Sequence, residues 1–302
     1  MHQLSPPFTA SRDTFPLAVY LSRLGLDASL ATAPPSPALL AQLMAAQSRA
    51  IPFENMDVVL RRPVSMHITD VAAKLLGAEA GAPRRGGFCF ELNSLLGAAL
   101  GALGFGVQPL LCRVRWNKAR SEETAFTHMA LRVTLPALPA TEALLADVGF
   151  AGTNSIAPVP LGGGASALPE GDFRAAEGAT AAGYTTLQWE VCGEWRDLYA
   201  WRTGEAASQA DLEAANFYSH AAPQARFVNE FFAATVREGG VRHWLINGVH
   251  RVREALGEGG KVHEEAVRDG EHLVQLLGEV FGMDAPGGAV EAWERAYRRR
   301  VQ

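Results

Sequence analysis

The sequence predicts an α+β protein in three lobes. Apolar residues recur at helical spacing through the first third of the chain, at strand spacing through the middle third, and at both in the last. The length of 302 residues and a 48% hydrophobic content are enough for several packed lobes and too apolar for a disordered chain.

In the first third, Phe15 to Leu26 and Pro37 to Ala50 read as helices, with Ser36 placed to cap the second. Thr69-Asp70 opens a further helix through Val71 to Ala80. Gly81-Ala82-Pro83-Arg84-Arg85-Gly86-Gly87 breaks the pattern, and Phe90 to Leu103 resumes it, ending at Gly104. In the middle third, Val107 to Trp116, His128 to Leu135, Leu144 to Phe150 and Leu187 to Trp201 are rich in branched and aromatic residues, as strands are. Cys192-Gly193-Glu194 reads as a hairpin turn inside the last of these, and Gly162 to Gly171 as a loop expected to be mobile. This is the pattern of an antiparallel sheet or barrel. In the last third, Asp211 to Phe217 and His272 to Phe281 are helix-like, Trp244 to Val252 alternates like a strand, and Gly257-Glu258-Gly259-Gly260 forms a turn. The predicted lobes are residues 1–104 (helical bundle), 105–205 (β-barrel) and 206–302 (a mixed α/β lobe).

The formal charge of -5 and a pI near 5.9 argue against a general nucleic-acid binder. The N-terminus has neither the basic nor the apolar region of a signal peptide, and no apolar run reaches the length of a membrane span. A cytoplasmic protein is expected. Cys89, Cys112 and Cys192 are widely separated and odd in number, so neither a disulfide framework nor a structural zinc site is expected.

Cys89 follows a double glycine and stands at a helix start. There the backbone dipole favours a thiolate, and Arg84 and Arg85 are available to add positive potential. The competing reading is an inert buried thiol, the common fate of a free cysteine. A thiolate nucleophile needs a base, and the base needs an orienting group. His128, at the mouth of an apolar strand, and Asp147, the one acid in Leu144-Leu145-Ala146-Asp147-Val148-Gly149-Phe150, fit those roles by spacing. A histidine in such a place is also commonly structural. A buried aspartate, however, requires a partner.

These residues sit in recognisable motifs. Arg85-Gly86-Gly87-Phe88-Cys89-Phe90-Glu91-Leu92-Asn93 resembles the RGGxCxExN signature of the arylamine N-acetyltransferases. Pro52-Phe53-Glu54-Asn55, Thr127-His128, Asp147-Val148-Gly149-Phe150, and Asn216-Phe217-Tyr218 followed by Pro223-Gln224-Ala225-Arg226-Phe227 resemble further family segments in the same order. The resemblance runs from about Tyr20 to Met283. It implies a helical bundle, a β-barrel and an α/β lid around a cysteine-protease-like catalytic core. It also implies ping-pong transfer from acetyl-CoA to an arylamine, hydrazine or arylhydroxylamine, without metal. Cys89 would be the acetylated nucleophile, His128 its proton shuttle and Asp147 the orienting carboxylate. Phe53 and Phe150 resemble the aromatic wall of the acceptor pocket, with core packing as the alternative. Thr127 and Gly152 are candidates for contacting the cofactor. Glu91 and Asn93 shape the site or serve structural hydrogen bonds, while Cys112 and Cys192 match no family site.

Two positions depart from the family pattern: Ala151 precedes Gly152 after the DVGF segment, and Ala225 replaces the usual serine. Both bear on cofactor grip. Three other functions share parts of this chemistry. An amide synthase would take a polyketide acyl chain from a carrier protein, a thiol hydrolase would cleave peptides, and a non-catalytic homologue would bind an arylamine without turnover.

Overall fold

The computed structural model describes residues 14–77, 82–166, 168, 171–254 and 261–298. The predicted turn at Gly257–Gly260 and the junction at Ala80–Gly81 lie outside the described residues.

Five helices form the N-terminal bundle: α1 Leu17–Arg23, α2 Pro37–Ala50, α3 Met56–Val59, α4 Ile68–Leu76 and α5 Cys89–Ala102. Ser36 caps α2 as predicted, its Oγ accepting from the Leu39 N–H at 3.1 Å, and Pro37 occupies the first helical position, where a missing N–H costs nothing. Helix α1 is shorter than its apolar pattern, because Pro16 precedes it and Gly25, at φ +68°, turns the chain after it. Helix α5 is apolar on nearly every face and is buried almost throughout, as a central helix must be. It starts one residue earlier than the sequence suggests, so Cys89 is its first residue.

The strands β2 Gly106–Val114, β3 Phe126–Thr134, β4 Leu144–Ala146, β5 Val159–Pro160, β6 Ala165–Ser166, β7 Phe173–Glu177, β8 Tyr184–Val191 and β9 Glu194–Arg202 follow. They pair in the order β5-β4-β3-β2-β9-β8-β7-β6, antiparallel throughout. The two ends of this sheet curl toward each other, and Ser166 Oγ donates to the Pro158 carbonyl at 3.1 Å across the gap. The result is a nearly closed barrel. Leu187 to Trp201 is the β8–β9 hairpin, turned as predicted by Cys192 (φ 54°) and Gly193 (φ 79°), the pair of positive φ values that a tight hairpin favours. The predicted strand Leu144–Phe150 stops at Ala146, because Asp147 to Gly149 fold back onto α5 and Ala151-Gly152 is left-handed. The predicted loop at Gly162–Gly171 contains β6.

The last lobe contains α6 Gln209–Ala221, α7 Arg226–Asn229, β10 Phe232–Val236, β11 Arg242–Ile246, β12 Val249–Arg253, β13 Val262–Ala266, α8 Gly270–Glu279 and α9 Ala289–Arg298. The alternation over Trp244 to Val252 is two strands rather than one, broken by Asn247 at φ 55° and Gly248. Their sheet runs β1-β10-β11-β12-β13, where β1 is Phe53–Glu54 from the N-terminal segment. The segments therefore interleave, with Met56 and Val59 of α3 sharing a core with Phe231, Leu245, Leu277, Phe281 and Trp293. A second core surrounds α5, and a third fills the barrel.

Among the described residues no helix is long and apolar enough to cross a membrane, and no group of three or more His, Cys, Asp and Glu is placed to hold a metal ion.

Candidate active site

The Cys89 turn is held by the groups around it. Gly87 pairs with β1: its N–H donates to the Pro52 carbonyl at 3.2 Å and its carbonyl accepts from the Glu54 N–H at 2.9 Å. A Cβ on Gly86 would run into the Pro52 carbonyl, and one on Gly87 would lie 2.9 Å from Glu91 Oε2, so both positions require glycine. Glu91 folds back to accept the Phe88 N–H at 3.1 Å, satisfying one of the free donors at the start of α5. Its other oxygen receives Lys74 Nζ at 2.8 Å.

Lys74 also pairs with Asp57 at 2.7 Å, while Arg85 reaches Glu54 at 2.7 Å and Asp57 at 3.1 Å. Three carboxylates and two cations thus lock β1, α3, α4 and the Arg85 loop onto the N-terminus of α5. Burial pushes the Lys74 ammonium down, but Glu91, Glu54 and Asp57 together hold it well above its ordinary value. Arg85 is committed to this network, and Arg84 is exposed with its N–H on Asp284, so neither supplies the positive potential expected at Cys89.

The three predicted catalytic residues meet where α5, β3 and the end of β4 converge. The Cys89 thiol donates to the Thr127 carbonyl at 3.7 Å, next to His128. His128 Nε2 lies 2.7 Å from Asp147 Oδ2. Asp147 Oδ1 accepts from Asn93 Nδ2 and from the Gly149 N–H, each at 2.8 Å. Asn93 is one helical turn beyond Cys89, on the same face of α5, and also donates to the Met129 carbonyl at 2.6 Å while accepting the Val148 N–H at 3.1 Å. One helix therefore carries the sulfur and also anchors the aspartate. Gly149 is pressed so close that a Cβ there would lie 2.8 Å from Cys89 Cα.

Burial raises the Asp147 carboxyl, but His128, Asn93 and the Gly149 N–H outweigh it and hold the acid below its ordinary range. For the thiol the balance is reversed. Burial and the Asp147 charge push Cys89 up, and the Met129 and Phe90 N–H groups only partly oppose them. Burial and that charge both act against the thiolate form of the sulfur.

The aromatic surroundings divide between two cores. Phe150 meets His128 edge-on at 4.9 Å, whereas Phe53 packs with Phe227 and Phe232 at 5.3 and 5.5 Å. Asn55 pins the last lobe in place, with Nδ2 donating to the Phe227 and Glu230 carbonyls at 2.8 and 2.6 Å and Oδ1 accepting the Phe232 N–H at 2.8 Å. Gly152 is buried: its carbonyl accepts from Arg242, and a Cβ would lie 2.9 Å from Ala234 Cβ. Thr127 stands in β3 beside His128.

Sequence reasoning missed Tyr199, whose ring lies 4.6 Å from His128 and 5.0 Å from Phe150. Its hydroxyl is buried without a hydrogen bond of good geometry, near enough to Asp147 for burial and that charge to push it well up. The inward alternation of Leu187, Trp189, Tyr199 and Trp201 was the available signal. It marked Tyr199 as core but did not show what it packs on. Cys112 is buried directly opposite His128 on β2 and donates to the Leu110 carbonyl; Cys192 is exposed on the β8–β9 turn.

Comparison with known proteins agrees with this geometry. The chain matches the family model described as N-acetyltransferase over residues 38–289. It is 37% identical to an arylamine N-acetyltransferase of Mycolicibacterium smegmatis, over 74% of this chain and 77% of that protein. It is 35% identical to the arylamine N-acetyltransferase / N-hydroxyarylamine O-acetyltransferase of Salmonella typhimurium, over 85% and 87%. The fold superimposes with a TM-score of 0.79 on the Mycobacterium marinum arylamine N-acetyltransferase solved in complex with CoA, at 30% identity, covering 94% of this chain and 98% of that one. A buried thiol, imidazole and carboxylate on this fold, with these relatives across most of its length, place the chain in the arylamine N-acetyltransferase family of acyltransferase enzymes.

Proposed function

We propose that the protein transfers an acetyl group from acetyl-CoA to the nitrogen of an arylamine, hydrazine or arylhydroxylamine in two half-reactions through S-acetyl-Cys89. The observation that carries the reading is the chain His128–Asp147–Asn93 with the Cys89 thiol on the Thr127 carbonyl beside it; Nε2 of the imidazole is spent on the carboxylate, which leaves Nδ1 as the atom to exchange a proton with the thiol.

His128 takes the Cys89 proton, and the sulfur attacks the thioester carbonyl carbon. A new C–S bond forms to Cys89 as the bond to the CoA sulfur breaks. His128 returns its proton to the departing CoA thiolate. In the second half-reaction the amine nitrogen attacks the acetyl carbon, passes a proton to His128, and the Cys89 thiolate leaves and is reprotonated. Asp147 stabilises the imidazolium in both halves. One thioester replaces another in the first step, so little driving force is needed, and an aromatic amine is unprotonated and nucleophilic near neutral pH.

Within this reading Phe150, against His128, and Phe53, at the start of β1, line the aromatic acceptor pocket. Thr127 and the left-handed turn at Gly152 border the donor's approach. Residues 1–104, 105–205 and 206–302 act as the bundle bearing the nucleophile, the barrel bearing its base and acid, and the lid. The cytoplasm and the handling of foreign aromatic amines are the setting this chemistry suits.

Intact-protein mass spectrometry after mixing with acetyl-CoA tests the proposal. One acetyl mass gain that maps to Cys89 and disappears on adding anisidine is expected, with no gain in Cys89→Ala. Absence of a gain in protein whose Cys89 still alkylates would refute acetyl-CoA as donor and favour a carrier-fed amide synthase.

A further inference from the structure

The barrel is open at the end where β2 begins and β3 finishes. A cavity of about 690 Å³ enters it there, floored by Leu110 and Trp201 and walled by Leu161, Ala175 and Thr185. Leu110, Trp201 and Thr185 are buried, and the first two belong to the barrel core. An eight-stranded barrel either fills its interior with side chains or leaves room for one small ligand. This volume lies within the range of small-molecule pockets, for which barrel mouths are a common place. The lip carries few side chains: Gly162 and Gly163 follow β5 on one side, and Gly204 follows β9 on the other. A Cβ on Gly163 or Gly204 would meet nothing within 4 Å, so no neighbour closes the gap over them.

The cavity is separate from the site around Cys89. Neither Cys89 nor His128 lines it, and neither do Phe53 and Phe150. The two places share one layer of the barrel, because Cys112 on β2 is directly opposite His128 on β3 and Trp201 on β9. Cys112 thus stands between the imidazole and the cavity floor, while the imidazole itself meets Phe150 and Tyr199.

Charge and hydrogen bonding at the opening select an occupant. Three charged side chains line it: Arg132, Glu177 and Glu205. Arg132 is engaged, donating to Gln108 Oε1 at 3.0 Å, and Glu205 receives Arg202 at 3.3 Å. Glu177, at the end of β7, forms no ion pair among the described residues. The Thr185 and Thr203 hydroxyls bond each other at 2.8 Å and keep lone pairs with which to accept. A carboxylate and hydroxyl acceptors are therefore available above an apolar floor. That combination suits a cationic donor carried on an apolar body.

We propose that the barrel mouth is a second small-molecule site, taking a protonated amine with a compact aromatic body. The ring rests on Leu110 and Trp201, and the ammonium is held at the Glu177 side of the opening. The site does not depend on the reading of Cys89 as an acyl acceptor.

Calorimetric titration at pH 7 with 2-phenylethylamine, 2-phenylethanol and 3-phenylpropionate tests this, because the three share a body and differ in charge. Each is titrated into untreated protein and into protein whose Cys89 has been alkylated with iodoacetamide. The amine is expected to bind one site per chain in both preparations. The alcohol should bind about three- to fivefold more weakly, as for the loss of one partly exposed ion pair, and the acid more weakly still. Glu177→Gln should bring the amine down to the affinity of the alcohol, and Ala175→Trp, which fills the cavity, should remove binding of both. Thermal unfolding checks that each variant is folded; should Ala175→Trp not fold, Ala206→Trp on the exposed turn at the rim makes the same test. No binding by the alkylated protein would assign the amine to the Cys89 site and overturn the proposal. Equal affinity for amine and acid, or amine binding unchanged in both Glu177→Gln and the filled variant, would overturn it as well. A protein that binds the amine but accepts no acetyl group on Cys89 would sink the acetyl-transfer reading alone.

Discussion

Asn93→Ala tests whether one side chain both stabilises the core and sets the triad. Asn93 is fully buried, and its amide makes three bonds: to the Asp147 carboxylate, to the Met129 carbonyl, and from the Val148 N–H. Truncation leaves a donor, a carbonyl and one carboxylate oxygen short of a partner in an environment without water. Each neutral group stranded in this way costs about 1–3 kcal/mol and the charged one more; with partial relaxation the total is about 4 kcal/mol. That is a large share of a stability of order 10 kcal/mol. The chemical effect is separate. Asp147 keeps His128 on Oδ2 and the Gly149 N–H on Oδ1 but loses one of the two donors on Oδ1, so its carboxyl pKa rises and the imidazole is less firmly oriented. Urea unfolding measures the first effect, and the rate of Cys89 alkylation by iodoacetamide at pH 7 measures the second without any substrate. The expected outcome is a loss of about 4 kcal/mol with alkylation slowed about tenfold or more. A loss under about 1 kcal/mol with unchanged alkylation would show that Asp147 is held by other groups and that the Asn93 bonds do not matter.

Three further outcomes follow from the geometry. Lys74→Met removes the cation shared by Glu91 and Asp57 and should cost about 3 kcal/mol in urea unfolding; Lys74→Met with Glu91→Gln should recover part of it, and a cost below about 1 kcal/mol would show that Arg85 suffices. Tyr199→Phe removes a hydroxyl without a good partner and should change stability by less than about 1 kcal/mol, whereas Tyr199→Ala, which opens a cavity against His128 and Phe150, should cost about 3–5 kcal/mol; equal effects of the two would contradict the packing role. His243 is lowered to about 4 by burial, by His250 at 3.2 Å and by Arg237, with Glu265 and His272 next to His250. Its unfolded form therefore takes up a proton first, and stability is lost as pH falls from about 6.5 toward 4. On this half-buried ring the loss is on the order of 1 kcal/mol after screening, and His243→Gln should flatten the decline in Tm over that window.

Much of the site could be read in the sequence because its geometry is written into short segments. The double glycine before Cys89, the lone acid after an apolar strand and the Cys192-Gly193 turn each have a local steric or electrostatic cause, and each stands where expected. The residues that were not legible act across the fold. Lys74 looks like any lysine in the last turn of an amphipathic helix; its meaning lies in Glu54, Asp57 and Glu91, brought to it by three other elements. The run Phe231 to Val236 carries a strand's composition, yet its pairing with two residues of the N-terminal segment depends on long-range packing that no local period records. Trp244 to Val252 reads as one strand only if Asn247-Gly248, the dipeptide a tight hairpin favours, is passed over; the left-handed Asn247 shows the turn it makes.

The source of reactivity at Cys89 is where the sequence and the structure differ most. A helix N-terminus contributes at most about 2 kcal/mol to an anion, and of the two arginines counted beside it Arg85 is turned to Glu54 and Asp57 while Arg84 is exposed. Burial and Asp147 both act against the thiolate. The same Asp147 that disfavours the sulfur's charge lies 2.7 Å from His128 Nε2, and the proposed mechanism places the transferred proton on that imidazole while the sulfur is engaged with an acyl carbon. On the proposed mechanism the nucleophile is therefore a property of the pair rather than of the thiol. That mechanism accounts for the hydrogen bonds the fold spends on Asp147, although this residue would not itself touch the acyl group. A low-pKa thiol made by the helix end alone would need neither Asn93 nor the Gly149 turn. The close fit of both against Cys89 is what the proposed proton transfer within the pair would require of the core.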